Sequence, residues 1–303
     1  MAGPQPIVHS VYDRKTLSWQ YVVACPKTKE AVIIDPVLDF EPSTFTASTQ
    51  SADGLLDIVR RNEYTVSRLL ETHAHADHLT ASYYIQQMLW VAGQPHAPIC
   101  IGENITIVQN TFAHKYNIPK KELENAFDHL FRPDEQFQIG DITATALHLP
   151  GHTPDHGGYH IGGNVFTGDS LFNPDVGSSR CDFPGGDART LFRSMKRLLA
   201  LPSETRLYTG HDYPPSNESS GRDPLPYVTV WDQRQQNKHV KNGSTEEDFV
   251  RWRNRRDQVL DEPRLMHQAM QVNVRGGKMP GRSHDGKALF QYVVNVPKTL
   301  LTG

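Results

Sequence analysis

With 303 residues, 37% of them hydrophobic and 21% charged, the chain reads as a soluble globular protein with room for one large domain or two small ones. A net charge of −3 without any run of like charges gives no footprint for nucleic acid or an acidic membrane surface. No stretch approaches the roughly 18 consecutive apolar residues of a membrane span.

Ser18 to Ala24 and Ala31 to Ile34 read as strands joined by the turn Pro26-Lys27-Thr28-Lys29. Leu55 to Arg61 has helical apolar spacing. Val66 to Leu70 is a further strand, and Leu79 to Leu89 a helix. Ile99 to Ile101 reads as a strand, with helices expected over Asn104 to Tyr116 and Lys120 to Phe127. In the second half, Phe137 to Ile139 and Ile142 to Leu149 form one hairpin, and Tyr159 to Ile161 with Val165 to Thr167 another. Ala188 to Leu199 is an amphipathic helix, and Arg206 to Thr209 a strand. Pro214 to Pro226, rich in Pro, Ser and Gly, reads as a surface loop. Beyond it, Glu246 to Leu260 is a charged helix, with Arg251, Arg253, Arg255 and Arg256 expected on a solvated face. Gln271 to Arg275 and Leu289 to Val296 are expected to add strands or cover a pocket. One domain over 1–303 follows, with 214–303 as an extension packed on it.

The chemistry concentrates at strand ends. Thr72-His73-Ala74-His75-Ala76-Asp77-His78 puts four metal-capable side chains within six positions, between a strand and a helix. Further strand ends deliver Pro-Gly-His152-Thr, Thr-Gly-Asp169 and Gly-His211-Asp. Imidazole nitrogen and carboxylate oxygen together suit zinc, iron or manganese. The three cysteines, Cys25, Cys100 and Cys181, are odd in number and widely spaced, which fits a reduced intracellular compartment. The first residues show neither an apolar signal core nor an Arg-rich presequence, so the cytoplasm is expected.

These motifs, in this order, resemble the metallo-β-lactamase superfamily over roughly residues 7–215. The resemblance implies an α/β fold, the four-layered αβ/βα sandwich. It implies that His73, His75 and His152 hold one metal and Asp77, His78 and His211 a second, with Asp169 bridging them. Two Zn²⁺ would sit about 3.5–4 Å apart. Ser179-Arg180-Cys181-Asp182-Phe183-Pro184-Gly185-Gly186-Asp187 and the tail Gln271-Val272-Asn273-Val274-Arg275-Gly276 resemble the persulfide dioxygenases, as does Tyr208 ahead of Gly-His211-Asp-Tyr. Those enzymes use one Fe²⁺, on residues matching His73, His152 and Asp169, to oxidise glutathione persulfide. Arg180 matches an arginine that holds their thiol substrate. The neighbourhood includes glyoxalase II, a thioester hydrolase, and fungal lactam hydrolases that open benzoxazolinone-type plant toxins.

Three readings of one ligand set therefore stand. The first is two-metal hydrolysis of a lactam, lactone or thioester, including detoxification of a small lactam such as a benzoxazolinone. The second is mononuclear iron dioxygenation, and the third a catalytically silent metal-binding protein. Under hydrolysis, Asp77 orients the water and moves a proton, Tyr208 donates to the oxyanion, and Arg180 holds an anionic group. The expected partner is a small molecule, with neither nucleic acid nor membrane. Oligomeric state stays open, a homodimer included.

Overall fold

The computed structural model describes residues 4–215, 221–294 and 296. Its first half carries β1 (Ile7–Asp13), β2 (Ser18–Ala24), β3 (Glu30–Ile34), β4 (Val37–Glu41), β5 (Thr46–Ser48) and α1 (Gln50–Arg61). Then come β6 (Thr65–Leu70), β7 (Leu79–Thr80), α2 (Ser82–Val91), β8 (Ile99–Gly102), α3 (Ile105–Tyr116), α4 (Lys120–Leu123) and β9 (His129–Phe131). The second half carries β10 (Glu135–Ile139), β11 (Ile142–His148), β12 (Gly157–Ile161), β13 (Asn164–Phe166), α5 (Ala188–Leu199), β14 (Arg206–Tyr208) and β15 (Tyr227–Thr229). It closes with α6 (Val230–Gln236), α7 (Glu246–Asp257) and α8 (Met266–Asn273).

Two six-stranded sheets form, in the orders β1-β2-β3-β6-β8-β9 and β10-β11-β12-β13-β14-β15. Each sheet is covered on both faces, so every residue of β2 is buried, as is β3 from Ala31 to Ile34. Strand alternation assigns the faces. Trp19, Tyr21 and Val23 enter a core between the sheets with Phe137, Ile142, Phe166 and Tyr208. Val22 and Ala24 point the other way, against Leu55 of α1, Ile85 of α2, Phe112 of α3 and Met270 of α8. On the far side, Val165 and Leu207 pack against Leu191, Met195 and Leu198 of α5 and Phe249 of α7. The result is the four-layered αβ/βα sandwich.

Direction places the loops. β3, β6 and β8 run parallel. β11 and β13 share a direction because both lie antiparallel to β12, and β14 is parallel to β13. The loops after β6, β11, β13 and β14 are therefore those that can meet at one edge. A bridge between Ser18 and His211 stitches the sheets there, with the Trp19 amide donating to the Gly210 carbonyl at 2.7 Å.

Several sequence expectations give way. Leu79–Thr80 pairs with Val37–Leu38 as a short strand, so α2 starts at Ser82. α4 stops at Leu123 because Glu124 is extended and Asn125 takes a left-handed φ of 56°. Gln271–Asn273 ends helix α8 rather than forming a strand, and Leu289–Val294 forms none. Asn295 in that stretch, and 216–220 within the Pro214–Pro226 loop, lie outside the described residues. Arg251, Arg255 and Arg256 are exposed as expected, but Arg253 is buried against Asp257. Among the described residues, no helix is long and apolar enough to cross a membrane.

Candidate metal centre

The loop after β6 turns at once into the cluster. Asp35, at the end of β3, accepts the Thr72 amide at 2.7 Å and the Thr72 hydroxyl at 2.8 Å. Thr72 Oγ1 lies 2.9 Å from His73 Nδ1, which leaves His73 Nε2 buried with no partner. His75 Nε2 lies 3.1 Å from Asp35 Oδ1, and His75 Nδ1 has no hydrogen-bond partner. Burial alone would lower the His75 pKa, but the Asp35 carboxylate raises it to about 9. Asp77 Oδ2 sits 3.1 Å from His78 Nδ1, and His78 Nε2 is buried and unpartnered.

The other loops close the ring. His152 Nδ1 donates to the Arg180 carbonyl at 2.7 Å, which turns Nε2 inward, 3.8 Å from Asp169 Oδ2. Asp169 sits in a single 3-10 turn, Gly168–Ser170, at the end of β13. His211 joins the two halves, with Nδ1 2.7 Å from Asp169 Oδ1 and Nε2 2.8 Å from Asp77 Oδ2. Burial would lower His211, yet the Asp169 and Asp77 carboxylates hold it well above the ordinary histidine range. The backbone is crowded here. A Cβ at Gly210 would lie 2.6 Å from Asp169 Oδ1, and Gly168 combines a φ of 48° with Thr72 Oγ1 at 2.6 Å from the place of a Cβ.

All seven expected metal ligands thus meet at one edge. Their grouping differs in one respect from the expected partition. His73, His152 and Asp169 present ligand atoms within 4.8 Å of one another, and so do His75, Asp77 and His78. His75 groups with the second set, and also with Asp35 and Glu71, rather than with His73 and His152. The buried, unpartnered nitrogens of His73, His75 and His78 fit a divalent cation, because an unmatched buried polar atom costs about 1–3 kcal/mol.

Arg180 lines a cleft of about 300 Å³ beside His152, with Ala76, Phe183, Leu260 and Met266. Its guanidinium is already held by Asp182 at 2.6 and 2.5 Å and by the Asp261 carbonyl at 2.9 Å. Tyr208 is a correction. Its ring stacks on Phe166 at 4.9 Å and lies edge-on to Tyr21 in the core between the sheets, and it borders a groove with His160, Gly163 and Arg206 rather than the metal ligands. The aromatic at the site is Tyr213, parallel to the His211 ring at 5.7 Å and beside Phe172. Its place in Gly-His211-Asp-Tyr was the available signal. His156, which the sequence places near the metal loop as a candidate pocket residue, supports the site from behind. It is fully buried, and its Nε2 accepts the Asp169 amide at 2.9 Å.

The family model described as the metallo-beta-lactamase superfamily matches residues 14–211. The chain belongs to this superfamily. A beta-lactamase hydrolase-like protein of Agrobacterium fabrum is 41% identical over 292 residues, which is 96% of this chain. The chain spans only 65% of that protein's length. A protein named Glyoxylase B2 from Dictyostelium discoideum is 38% identical, with 92% of this chain and 94% of that one covered. The crystal structure of ETHE1 from Myxococcus xanthus superposes with a TM-score of 0.70 at 26% identity, over 90% of this chain and 100% of that one. The Dictyostelium relative and the ETHE1 structure fit the glyoxalase II and persulfide dioxygenase branch of the superfamily.

Proposed function

We propose that the protein is a two-zinc hydrolase that opens a small lactam, lactone or thioester. The carrying observation is the unpartnered Nε2 of His78, next to Asp77, with His211 2.8 Å from the same carboxylate. A single ion on His73, His152 and Asp169 would leave that nitrogen and those of His75 orphaned. Two ions would use these nitrogens, one held by the His73, His152 and Asp169 group and the other by His75, Asp77 and His78, with His211 against the carboxylates of both groups. When bound, such ions supply a hydroxide near neutral pH and positive charge at the developing oxyanion.

The chain's own residues do the rest. Water adds across the scissile bond, its hydroxyl going to the acyl carbon and a proton to the leaving nitrogen, oxygen or sulfur. Asp77, whose carboxylate lies between His78 and His211, takes that proton and passes it on. Tyr213 assumes the donor role first expected of Tyr208. The largely apolar wall of Ala76, Phe183, Leu260 and Met266 suits a small, flat acyl compound such as a benzoxazolinone. Three free, buried cysteines support a reducing compartment, the cytoplasm.

Metal analysis joined to turnover tests this reading. About two zinc per chain, with hydrolysis on a lactam, lactone and thioester panel, is expected. One iron per chain, with oxygen consumed on adding glutathione persulfide, would overturn it. That second reading is favoured by the compact His73, His152 and Asp169 group, a two-histidine, one-carboxylate set, and by the likeness to ETHE1 over that protein's whole length. His211→Ala separates the two, because hydrolysis loses a ligand and falls steeply, whereas dioxygenation should fall less, since His211 orients the iron-set Asp169 without itself holding the ion.

A further inference from the structure

Asn273, the last residue of α8, is buried and lies almost 200 positions from the metal loop in sequence. Its side chain nevertheless spends three hydrogen bonds on that loop. Nδ2 donates to the His75 carbonyl at 2.7 Å and to the His78 carbonyl at 2.8 Å. Oδ1 accepts the Thr80 amide at 2.8 Å. A carboxamide has two donors and a two-lone-pair acceptor, so both N–H groups and one acceptor position are used on one six-residue stretch. Hydrophobic burial on α8 would be satisfied by any residue of similar size. This pattern is specific to an amide.

The helix that presents Asn273 is itself anchored. Gln109 of α3 donates to the Val274 carbonyl at 3.0 Å, and Arg275 pairs with Glu122 at 2.7 Å. Met266, Ala269, Met270 and Val272 are buried against the helices of the first sheet. At the other end, the Thr80 hydroxyl bonds to Glu71, whose carboxylate lies 3.8 Å from His75 Nε2. The loop from His75 to Thr80 has no helix or strand of its own until Leu79. Its carbonyls at His75 and His78 need a donor, since both residues are almost wholly buried.

We propose that Asn273 is a positioning residue for the metal loop, fixing the backbone at His75 and His78 so that their imidazoles meet the ions at the right separation. The C-terminal segment then sets the metal geometry from outside the matched family region, which ends at residue 211. This rests on the two-ion reading, because a single ion on His73, His152 and Asp169 would leave His75 and His78 unused.

The test uses Co²⁺ as the probe, added to metal-stripped full-length protein. Its visible absorption reads ligand geometry, and competition with a chelator reads affinity. Asn273→Ala and the near-isosteric Asn273→Asp are compared with Gln109→Ala, which loosens α8 without touching the loop. Both Asn273 variants are expected to bind Co²⁺ 10–100-fold more weakly, the scale for groups that orient metal ligands, with an altered spectrum. Gln109→Ala is expected to keep the native spectrum even where its Tm falls as far. If Asn273→Ala does not fold, Asn273→Asp carries the comparison. A native spectrum and affinity in the Asn273 variants, or equal changes in Gln109→Ala, would overturn the proposal. A native chain that takes up no Co²⁺ would overturn the metal centre itself, and this proposal with it.

Discussion

Arg253→Met probes how α7 supports the centre. Arg253 is buried, pairs with Asp257 and lies over the Trp252 ring at 4.7 Å. It also donates to the Ser179 carbonyl at 3.2 Å, while the other Asp257 oxygen accepts the Cys181 amide at 2.9 Å. The pair therefore holds both sides of Arg180, whose carbonyl orients His152. Methionine keeps much of the side-chain volume but leaves the Asp257 carboxylate buried without its cation. Breaking a buried pair this way costs about 3–5 kcal/mol. At roughly 2.1 cal/mol/K per residue, the unfolding entropy of a chain this long converts that into a Tm lower by about 5–8 °C. Asp257→Leu in the same background removes the stranded charge and is expected to recover part of the loss, the Cys181 amide remaining unmatched. Thermal unfolding of the three variants in one buffer measures this. A cost below about 1 kcal/mol for Arg253→Met, or a double variant worse than the sum of the single ones, would refute the account of Arg253 as a buried strut.

Tyr213→Phe keeps the ring on His211 but removes the hydroxyl, and kcat is expected to fall on the order of a hundredfold, the scale of one oxyanion donor. Tyr208→Phe is expected to leave kcat within about twofold, and equal losses in the two variants would return the donor role to Tyr208. His239, packed on Trp252 at 3.7 Å, is pushed down to about 3 by burial and by Lys238 and Arg253. The unfolded chain binds that proton near pH 6.5, so His239 takes stability away as pH falls from about 6.5 toward 3 and has no effect above. The Tm advantage of the native chain over His239→Phe should then shrink on acidification from pH 8 to 4.5, and a constant gap would contradict the assignment.

The parts of the molecule that were legible in sequence are those where one periodicity dominates. α5 reads directly because its apolar residues occupy one stripe, Leu191, Met195 and Leu198, beneath an exposed charged face. The ligand motifs read directly because short loops at parallel strand ends have few places to go. α8 was opaque for the opposite reason. Residues 268–273 are all buried, so no polar face marks the 3.6-residue period, and alternating Val272 and Val274 imitate a strand. Arg253 was opaque because its partner Asp257 is four residues on, a spacing equally typical of an exposed helix pair. Tyr208 and Tyr213 differ by less than the sequence can resolve. Both flank His211, and the decision lies in strand register. β14 pairs Tyr208 with Phe166 and so directs its ring into the core, whereas Tyr213 follows the strand's end and is free to turn onto His211. The same logic covers Asn273. A residue whose contacts lie 195 and 198 positions away leaves no local trace, and the need for an amide there appears only once two histidine carbonyls are seen to point at it.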